Sequence, residues 1–236
     1  MGAALIQTLR DYTAPAAAIG ASYLAEVVDV NDTDNLTRVQ VRLLSFDGVD
    51  GQDGPLWARV AVPFAGDNRG AFMLPDVGDE VLVSFINGDW RFPVVVGGLW
   101  NGNAHAPETL GGDGSRVDRW SIVGKAGTRI LILEERDGEA KISLTTPNGV
   151  SLEMTDAGGG KVEFKVAGNT ITFDSQGVSV QTGSKVKMQA SQVEVTSGQV
   201  KVDSAMANFS GVVKSNVLQS TTVIGNTYTP GAGNVW

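Results

Sequence analysis

The sequence predicts an all-β protein, with a small closed barrel in its first half and short stacked strands in its second half. Two observations predict this class. Apolar residues recur at every second position in short runs, which is the period of a strand with one buried face. Turn signals rich in Gly, Asn and Asp separate the runs, and from Ile171 onward the runs start only seven or eight residues apart. That step leaves no room for a helix between strands.

Residues 1–20 are interpreted as an N-terminal arm. The helical spacing of Leu5 and Leu9 stops at Pro15, because proline lacks the backbone donor that a helix needs. The arm is either flexible or becomes ordered against a neighbour in an assembly. Arg10 is the only cation of this stretch, and no apolar core precedes a cleavage site. We therefore expect synthesis in the cytoplasm without a signal peptide.

Residues 21–100 are predicted to form a compact β-domain, with Val39, Val41, Val81 and Val83 on its inner face. The five strands are expected at 23–30, 37–44, 56–62, 80–86 and 93–99. The last of them is a nearly continuous apolar run, which is typical of a strand buried on both faces. Five strands in about 80 residues, with a long third connection, indicate a small closed barrel of the OB type.

Residues 101–120 are rich in Gly, Asn, Asp and Pro and are interpreted as a linker. The strands expected in residues 121–225 are too short to bury much apolar surface alone, so they must stack into a β-helix or prism. This region is interpreted as a rigid shaft, and residues 226–236 as its tip segment. Periodicity leaves open whether one chain or several chains build the shaft. The residues expected in the shaft core are Val162, Phe164, Ile171, Phe173, Val178, Val180, Val186, Met188, Val193, Val195, Val200, Val202 and Phe209.

Charge and composition exclude several functions. Residues 1–110 hold 6 Arg, no Lys and 14 Asp or Glu, giving 6 − 14 = −8, whereas residues 111–236 hold 12 of each sign and are neutral. Neither half carries the basic patch that phosphate binding requires, so no nucleic-acid partner is expected. Cysteine is absent, which excludes disulfides and thiolate chemistry.

The polar clusters predict structure rather than catalysis. Asp76 and Asp79 lie at a turn that enters a strand, not in the paired arrangement of a glycosidase. The lone His105 has no nucleophile in a recognisable motif. Asp29, Asp32 and Asp34 have a spacing loosely like a calcium loop, but no Gly or distal Glu completes it. We therefore expect no enzyme activity, no cofactor and no metal ion in this chain.

Three tryptophans of the first half could offer a sugar-binding surface. Packing within the barrel is the more favoured interpretation for Trp57 and Trp100. Trp90 follows a turn and is expected at the surface.

Four phrases of the first half resemble the OB domain of the central spike in contractile injection machines. They are Thr37–Arg42, Pro55–Ala61, Gly70–Val83 and Phe92–Gly102. The family includes the phage baseplate assembly protein V and the valine-glycine repeat spikes of type VI secretion and related extracellular systems. The β-repeat that follows the barrel is also what this family has next.

The resemblance implies a homotrimer in which three barrels surround an intertwined triple-stranded β-helix. It further implies a non-enzymatic, structural spike in a virion tail baseplate or an equivalent injection particle. Sheath contraction would drive this spike through a target cell envelope. The implied partners are a separate hub protein, since no hub domain is recognised before the barrel, and a tip protein of the proline-alanine-alanine-arginine repeat type. Some phage spikes bind iron through paired histidines, which a chain with only His105 does not offer.

Two sets of contact residues are expected from these patterns. The loop with Phe64, Asn68, Arg69 and Phe72 lies at the predicted barrel rim and is expected to contact the hub or a neighbouring barrel. Apolar side chains of the tip segment are expected either to plug the shaft or to dock the tip protein, and docking is favoured. These tip residues are Tyr228, Pro230, Val235 and Trp236.

Two alternative functions remain open from the sequence. The first is a spike of a type VI or extracellular contractile injection system that delivers effectors, docked rather than fused because no extension past Trp236 is present. The second is a β-helical tailspike that binds or degrades glycans. A tailspike would need paired acids or exposed aromatic residues in a groove, whereas the repeats present small polar residues outward.

Overall fold

The computed structural model describes residues 22–48 and 54–227. The chain divides into two compact units, one ending at Lys185 and the other beginning at Val186. The first unit contains a closed barrel and a seven-stranded sheet. The second contains no strand among its described residues, which end at residue 227.

Five strands close the barrel in the order β1-β2-β3-β7-β6. Neighbouring strands are antiparallel except for the parallel pair β3 and β7. A hairpin of two very short strands, β4 and β5, is inserted before β6. The strands are β1 (Tyr23–Asp29), β2 (Arg38–Leu43), β3 (Leu56–Val60), β4 (Ala65–Gly66), β5 (Arg69–Gly70), β6 (Glu80–Phe85) and β7 (Pro93–Leu99). This closure confirms the predicted OB-type barrel.

Alternate residues of the barrel strands fill its interior. Val39 and Val41 of β2 and Val81 and Val83 of β6 are completely buried, as the alternation predicted. They pack with Val27, from β1, in one continuous core. Every second side chain of each strand points inward. Closing the sheet into a barrel therefore buries these apolar side chains without a helix to cover them.

Two expectations for the barrel were wrong. Strand β7 is buried on one face only, since Val96 and Leu99 are exposed. The reason is that β7 forms part of the barrel wall, whose outer face meets solvent. Trp100, expected to pack in the barrel, is 71% exposed. Trp90, expected at the surface, is 37% exposed, although its ring also lies 4.3 Å from the Phe85 ring.

The sheet of the first unit is a simple meander, in which each strand pairs antiparallel with the next. Its strands are β8 (Arg119–Val123), β9 (Arg129–Leu133), β10 (Lys141–Thr145), β11 (Ser151–Thr155), β12 (Lys161–Val166), β13 (Asn169–Asp174) and β14 (Gly177–Gln181). Short turns reverse the chain at each step. Between β12 and β13 the loop is only Ala167 and Gly168, both at positive φ, which is the two-residue turn that matches strand twist.

The segment interpreted as a linker is fixed to the sheet at its C-terminal end. The Asp118 side chain is buried, binds the Arg119 guanidinium at 2.8 Å and accepts the Gly111 backbone N–H at 3.0 Å. A Cβ at Gly111 would lie 2.2–2.5 Å from the side-chain ends of Arg119, Glu135 and Asp118, so a larger residue there would displace this cluster of charged groups. The hydrogen bond from Arg119 lowers the pKa of Asp118 and keeps this carboxylate charged.

The second unit differs from the predicted run of strands. Four alternating runs of this unit form no strand and are exposed. They are Val186–Met188, Val193–Val195, Val200–Val202 and Ala207–Phe209. Bends recur instead, and at three of them the hydroxyl of Ser197, Ser204 or Ser220 donates to the carbonyl two residues later. A strand needs a hydrogen-bonded neighbour, and the described part of this unit offers none within one chain.

Candidate functional site: the apolar face of the sheet

One face of the seven-stranded sheet carries two uninterrupted apolar rows. The cross-strand register brings one residue of every strand into each row. The first row is Trp120, Ile132, Ile142, Met154, Val162, Phe173 and Val178. The second row is Ile122, Ile130, Leu144, Leu152, Phe164, Ile171 and Val180. We call these fourteen residues the apolar face.

The apolar face is open to solvent within one chain. Phe164, in the interior strand β12, is 42% exposed, and Trp120 and Val178 at the two ends of the first row are exposed further. Directly opposed aromatic and branched side chains stabilise a sheet only when they are also covered from water. A contiguous apolar surface that spans seven strands is typical of a protein interface.

The opposite face of the sheet carries Leu131 and Leu133 in β9, but from β10 to β14 it is polar and has its own ion pairs. Glu163 binds Lys165 at 2.6 Å and Lys161 at 3.6 Å, and Lys141 binds Glu153 at 3.3 Å. The hydrogen bond from Lys165 lowers the pKa of Glu163. The face with the ion pairs is therefore typical of a solvated surface, and the apolar face is typical of an interface. This agrees with the alternation of polar and apolar residues along each strand.

The residues expected in the shaft core lie in two places. Val162, Phe164, Ile171, Phe173, Val178 and Val180 lie side by side on the apolar face. The others, Val186, Met188, Val193, Val195, Val200, Val202 and Phe209, belong to the second unit and are exposed. Their burial would require other chains, so their assignment to a core remains a prediction.

The barrel and the sheet of the first unit are joined by ion pairs. Lys125, in the turn between β8 and β9, binds the carboxylate of Asp76 in the turn before β6. This hydrogen bond lowers the pKa of Asp76 and raises that of Lys125. Arg129 of β9 binds Glu108 at 2.5 Å, which ties the linker to the sheet. The first pair thus connects the barrel to the sheet, and the second connects the linker to the sheet.

The four rim residues expected to contact a partner lie on or beside the β4–β5 hairpin. Phe64 precedes it and Phe72 follows it, and both rings are exposed. Asn68 occupies the turn at a positive φ of 50°, and the Arg69 side chain folds back over Gly66. Sequence patterns identified the loop but not its hairpin, because strands of two residues are too short to show alternation.

The acidic clusters have structural roles. The Asp76 backbone N–H donates to the Asp79 carboxylate at 2.8 Å, so this pair holds the turn that enters β6. Arg38 binds Asp32 at 2.7 Å and Asp34 at 2.6 Å, which places a guanidinium where a calcium ion would have to lie. Among residues 22–48 and 54–227, no cluster of three or more His, Asp or Glu side chains could hold a metal ion.

Two further predicted features can be placed only in part. His105 lies exposed in the linker. Tyr228, Pro230, Val235 and Trp236, the expected tip-docking residues, fall outside the described residues, as do residues 1–20. In the described part of the chain, no helix has the length and apolar character needed to cross a membrane.

Comparison with known proteins identifies both parts of the chain. Residues 23–100 match the type VI secretion system/phage-baseplate injector OB domain. Residues 141–201 match the phage baseplate V C-terminal trimerisation domain. The first match covers the barrel, and the second covers β10–β14, which carry most of the apolar face, together with the beginning of the second unit.

Curated relatives are spike proteins from two bacteria. The type VI secretion system spike protein VgrG1c of Pseudomonas aeruginosa is 27% identical over 128 residues, which are 52% of this chain and 18% of the relative. VgrG1a of the same bacterium is 33% identical over 98 residues, 41% of this chain and 15% of the relative. VgrG3 of Vibrio cholerae is 37% identical over 79 residues, 33% of this chain and 8% of the relative. The matched region thus spans less than a fifth of each of these relatives.

Proposed function

The chain belongs to the family of central spikes of phage baseplates and type VI secretion systems, and we propose that it is a structural, trimeric spike. The apolar face of the sheet is the observation that carries this proposal. It lies largely in the part of the chain that matches a trimerisation domain, and it has the alternation of a surface that becomes a core. Three such faces turned toward one axis would exclude water from all three.

The spike acts mechanically rather than catalytically. Three chains whose apolar faces meet form a dry prism, and the exposed edges of each chain pair with the next. Close packing and dense cross-strand hydrogen bonding make such a prism stiff, which a shaft driven into a cell envelope requires. The same geometry serves a phage baseplate or a type VI or extracellular injection particle, and we place the protein in one of these particles.

A mass measurement tests the trimer directly. The purified protein is expected to scatter light as a species of three chains, and to keep that mass after incubation in detergent, because the apolar faces are buried in a closed prism. Size-exclusion chromatography with multi-angle light scattering, with and without detergent, gives both values. A monomeric mass in plain buffer would contradict the proposal and would leave a lateral glycan-binding groove as the better explanation of the second half.

We also propose two partners, a hub protein at the barrel and a tip protein at the far end of the repeats. The exposed residues Phe64, Asn68, Arg69 and Phe72 support the hub contact. The segment with Tyr228, Pro230, Val235 and Trp236 supports tip docking, since it is rich in apolar and turn-forming residues. A small tip protein of the proline-alanine-alanine-arginine repeat type suits such a short docking segment.

Removal of residues 228–236 tests the tip contact. The truncated protein is expected to stay trimeric, because residues 120–180 keep the apolar face, but to lose binding of a tip protein of the proline-alanine-alanine-arginine repeat type. A pull-down with purified tip protein measures binding, and light scattering on the same sample checks the trimer. Recovery of the tip protein at the level of the full chain would refute this contact.

A further inference from the structure

A groove on the outside of the barrel combines exposed apolar side chains with four arginines, of which Arg59 and Arg69 form no ion pair among the described residues. It consists of two adjoining cavities, of about 700 Å³ and 410 Å³, that share Leu36 and Arg59 in their walls. The larger cavity continues to Arg69 and Phe72 at the β4–β5 hairpin. The smaller one continues to Phe92. Neither cavity belongs to the apolar face of the sheet.

The two arginines differ from the other arginines of the barrel. Arg38, Arg42 and Arg91 bind carboxylates at 2.6–2.9 Å. Arg59 and Arg69 take part in no ion pair within the described part of the chain, although residues 1–110 carry a net charge of 6 − 14 = −8. Positive charges that stay unneutralised beside so many acids offer a binding site for carboxylates.

The loop before β2 holds Leu36 at the junction of the two cavities. Asp32 accepts the backbone N–H groups of Leu36 at 3.0 Å and Arg38 at 3.1 Å. Between them, Thr37 has a φ of 57°, which is rare for a β-branched residue. The resulting loop leaves Leu36 63% exposed instead of packing it into the barrel. Strain that is held in place by several hydrogen bonds is typical of binding sites.

The Arg69 side chain lies across the hairpin. Its Nε lies 2.7 Å from the position that a Cβ on Gly66 would occupy. On the other side of the groove, the Arg38 guanidinium lies 5.5 Å from the centre of the Trp57 ring. The groove thus contains two guanidinium groups that form no ion pair with any residue that the structure describes.

The described carboxylates in a second copy of the barrel already have donors in their own chain and would have to share them with this groove. Every carboxylate of the barrel that the structure describes already accepts a hydrogen bond inside its own chain. A different protein whose acidic side chains have no donors of their own could bind the two arginines without giving up other hydrogen bonds. Charge therefore favours a different chain over another copy of this one.

We propose that this groove binds a segment of a different protein of the particle, in which acidic residues alternate with apolar ones. The carboxylates bind Arg59 and Arg69, and the apolar side chains cover Leu36, Phe72 and Phe92. The proposal rests on the spike function proposed above, and it gives the partner at the barrel a chemical character. It also explains why an acidic barrel keeps two unpaired arginines on one surface.

Peptide binding by the full trimeric protein tests the charge requirement. A labelled peptide of alternating Glu and Leu is expected to bind, as measured by fluorescence anisotropy, and the same peptide with Gln for Glu to bind at least about tenfold more weakly. Arg59→Ala and Arg69→Ala should each weaken binding of the Glu peptide by about tenfold, since each removes one charge-assisted hydrogen bond. Arg136→Ala, which removes an exposed arginine from the turn between β9 and β10, is the matched control and should change nothing.

Equal binding of the two peptides, or full binding by both groove variants, would overturn the proposal. Light scattering on each variant separates this failure from a failure of the spike function, because the groove lies outside the apolar face. A second experiment places a photoreactive phenylalanine at position 72 in assembled particles and maps the crosslinked peptide by mass spectrometry. An acidic segment of a different protein is expected, whereas a crosslink to a second copy of the barrel would overturn the proposal.

Discussion

Phe164→Lys is expected to prevent trimer formation. Phe164 lies in the interior strand β12, within the second apolar row, between Leu152 of β11 and Ile171 of β13. In the proposed trimer its ring faces the other two chains, so the substitution brings three ammonium groups close to one axis. Burying an unpaired charge costs several kcal/mol per chain, and the three like charges repel each other. Light scattering should therefore give the mass of one chain.

Thr172→Lys is the matched control for this variant. Thr172 pairs with Glu163 on the polar face, one strand away from Phe164. The added charge there meets a carboxylate and solvent, so the trimer mass should not change. A trimer that forms equally well with Phe164→Lys would mean that the apolar face is not the surface between chains.

Phe85→Ala is expected to destabilise the barrel by about 3–5 kcal/mol, the usual cost of removing a buried phenylalanine ring. Phe85 is only 6% exposed, and its ring contacts Tyr23 edge-on at 5.7 Å and Trp90 at 4.3 Å. Phe46 completes this aromatic cluster. Loss of the ring leaves a cavity that the rigid barrel wall cannot close.

Phe72→Ala removes the same side chain from an exposed position and serves as the control. The Phe72 ring is 81% exposed, so the free energy of unfolding should change by no more than about 0.5 kcal/mol. Guanidinium unfolding followed by tryptophan fluorescence compares the two variants, since Trp90 reports on the cluster. Equal stability of the two variants would show that the aromatic cluster does not support the barrel.

The strands of the barrel could be predicted from the sequence because their signal is local. Alternation identified Val39, Val41, Val81 and Val83 as inward-facing, and these side chains are completely buried. The same rule could not distinguish the one-sided burial of β7 from burial on both faces, because an apolar run carries no alternation. It also could not place Trp100, which is 71% exposed although it directly follows β7.

The apolar face and the groove also differ in how far the sequence predicts them. The apolar character of Phe164 and its neighbours is present in the sequence, but their alignment into two rows depends on the register of seven strands. The sequence predicts even less of the groove. Leu36, Arg59 and Arg69 lie in separate elements, and only the closed barrel brings them together.

The sequence by itself determined the all-β class, the positions of most strands of the first unit and the face that each strand buries. These properties depend on side chains two residues apart along one chain. The tertiary structure alone decided how β3 pairs with β7, how Gly111 and Asp118 fix the linker to the sheet, and which arginines remain unpaired. Such features depend on contacts between residues far apart in the sequence, and the free energy of those contacts comes from shape and charge that local periodicity does not encode.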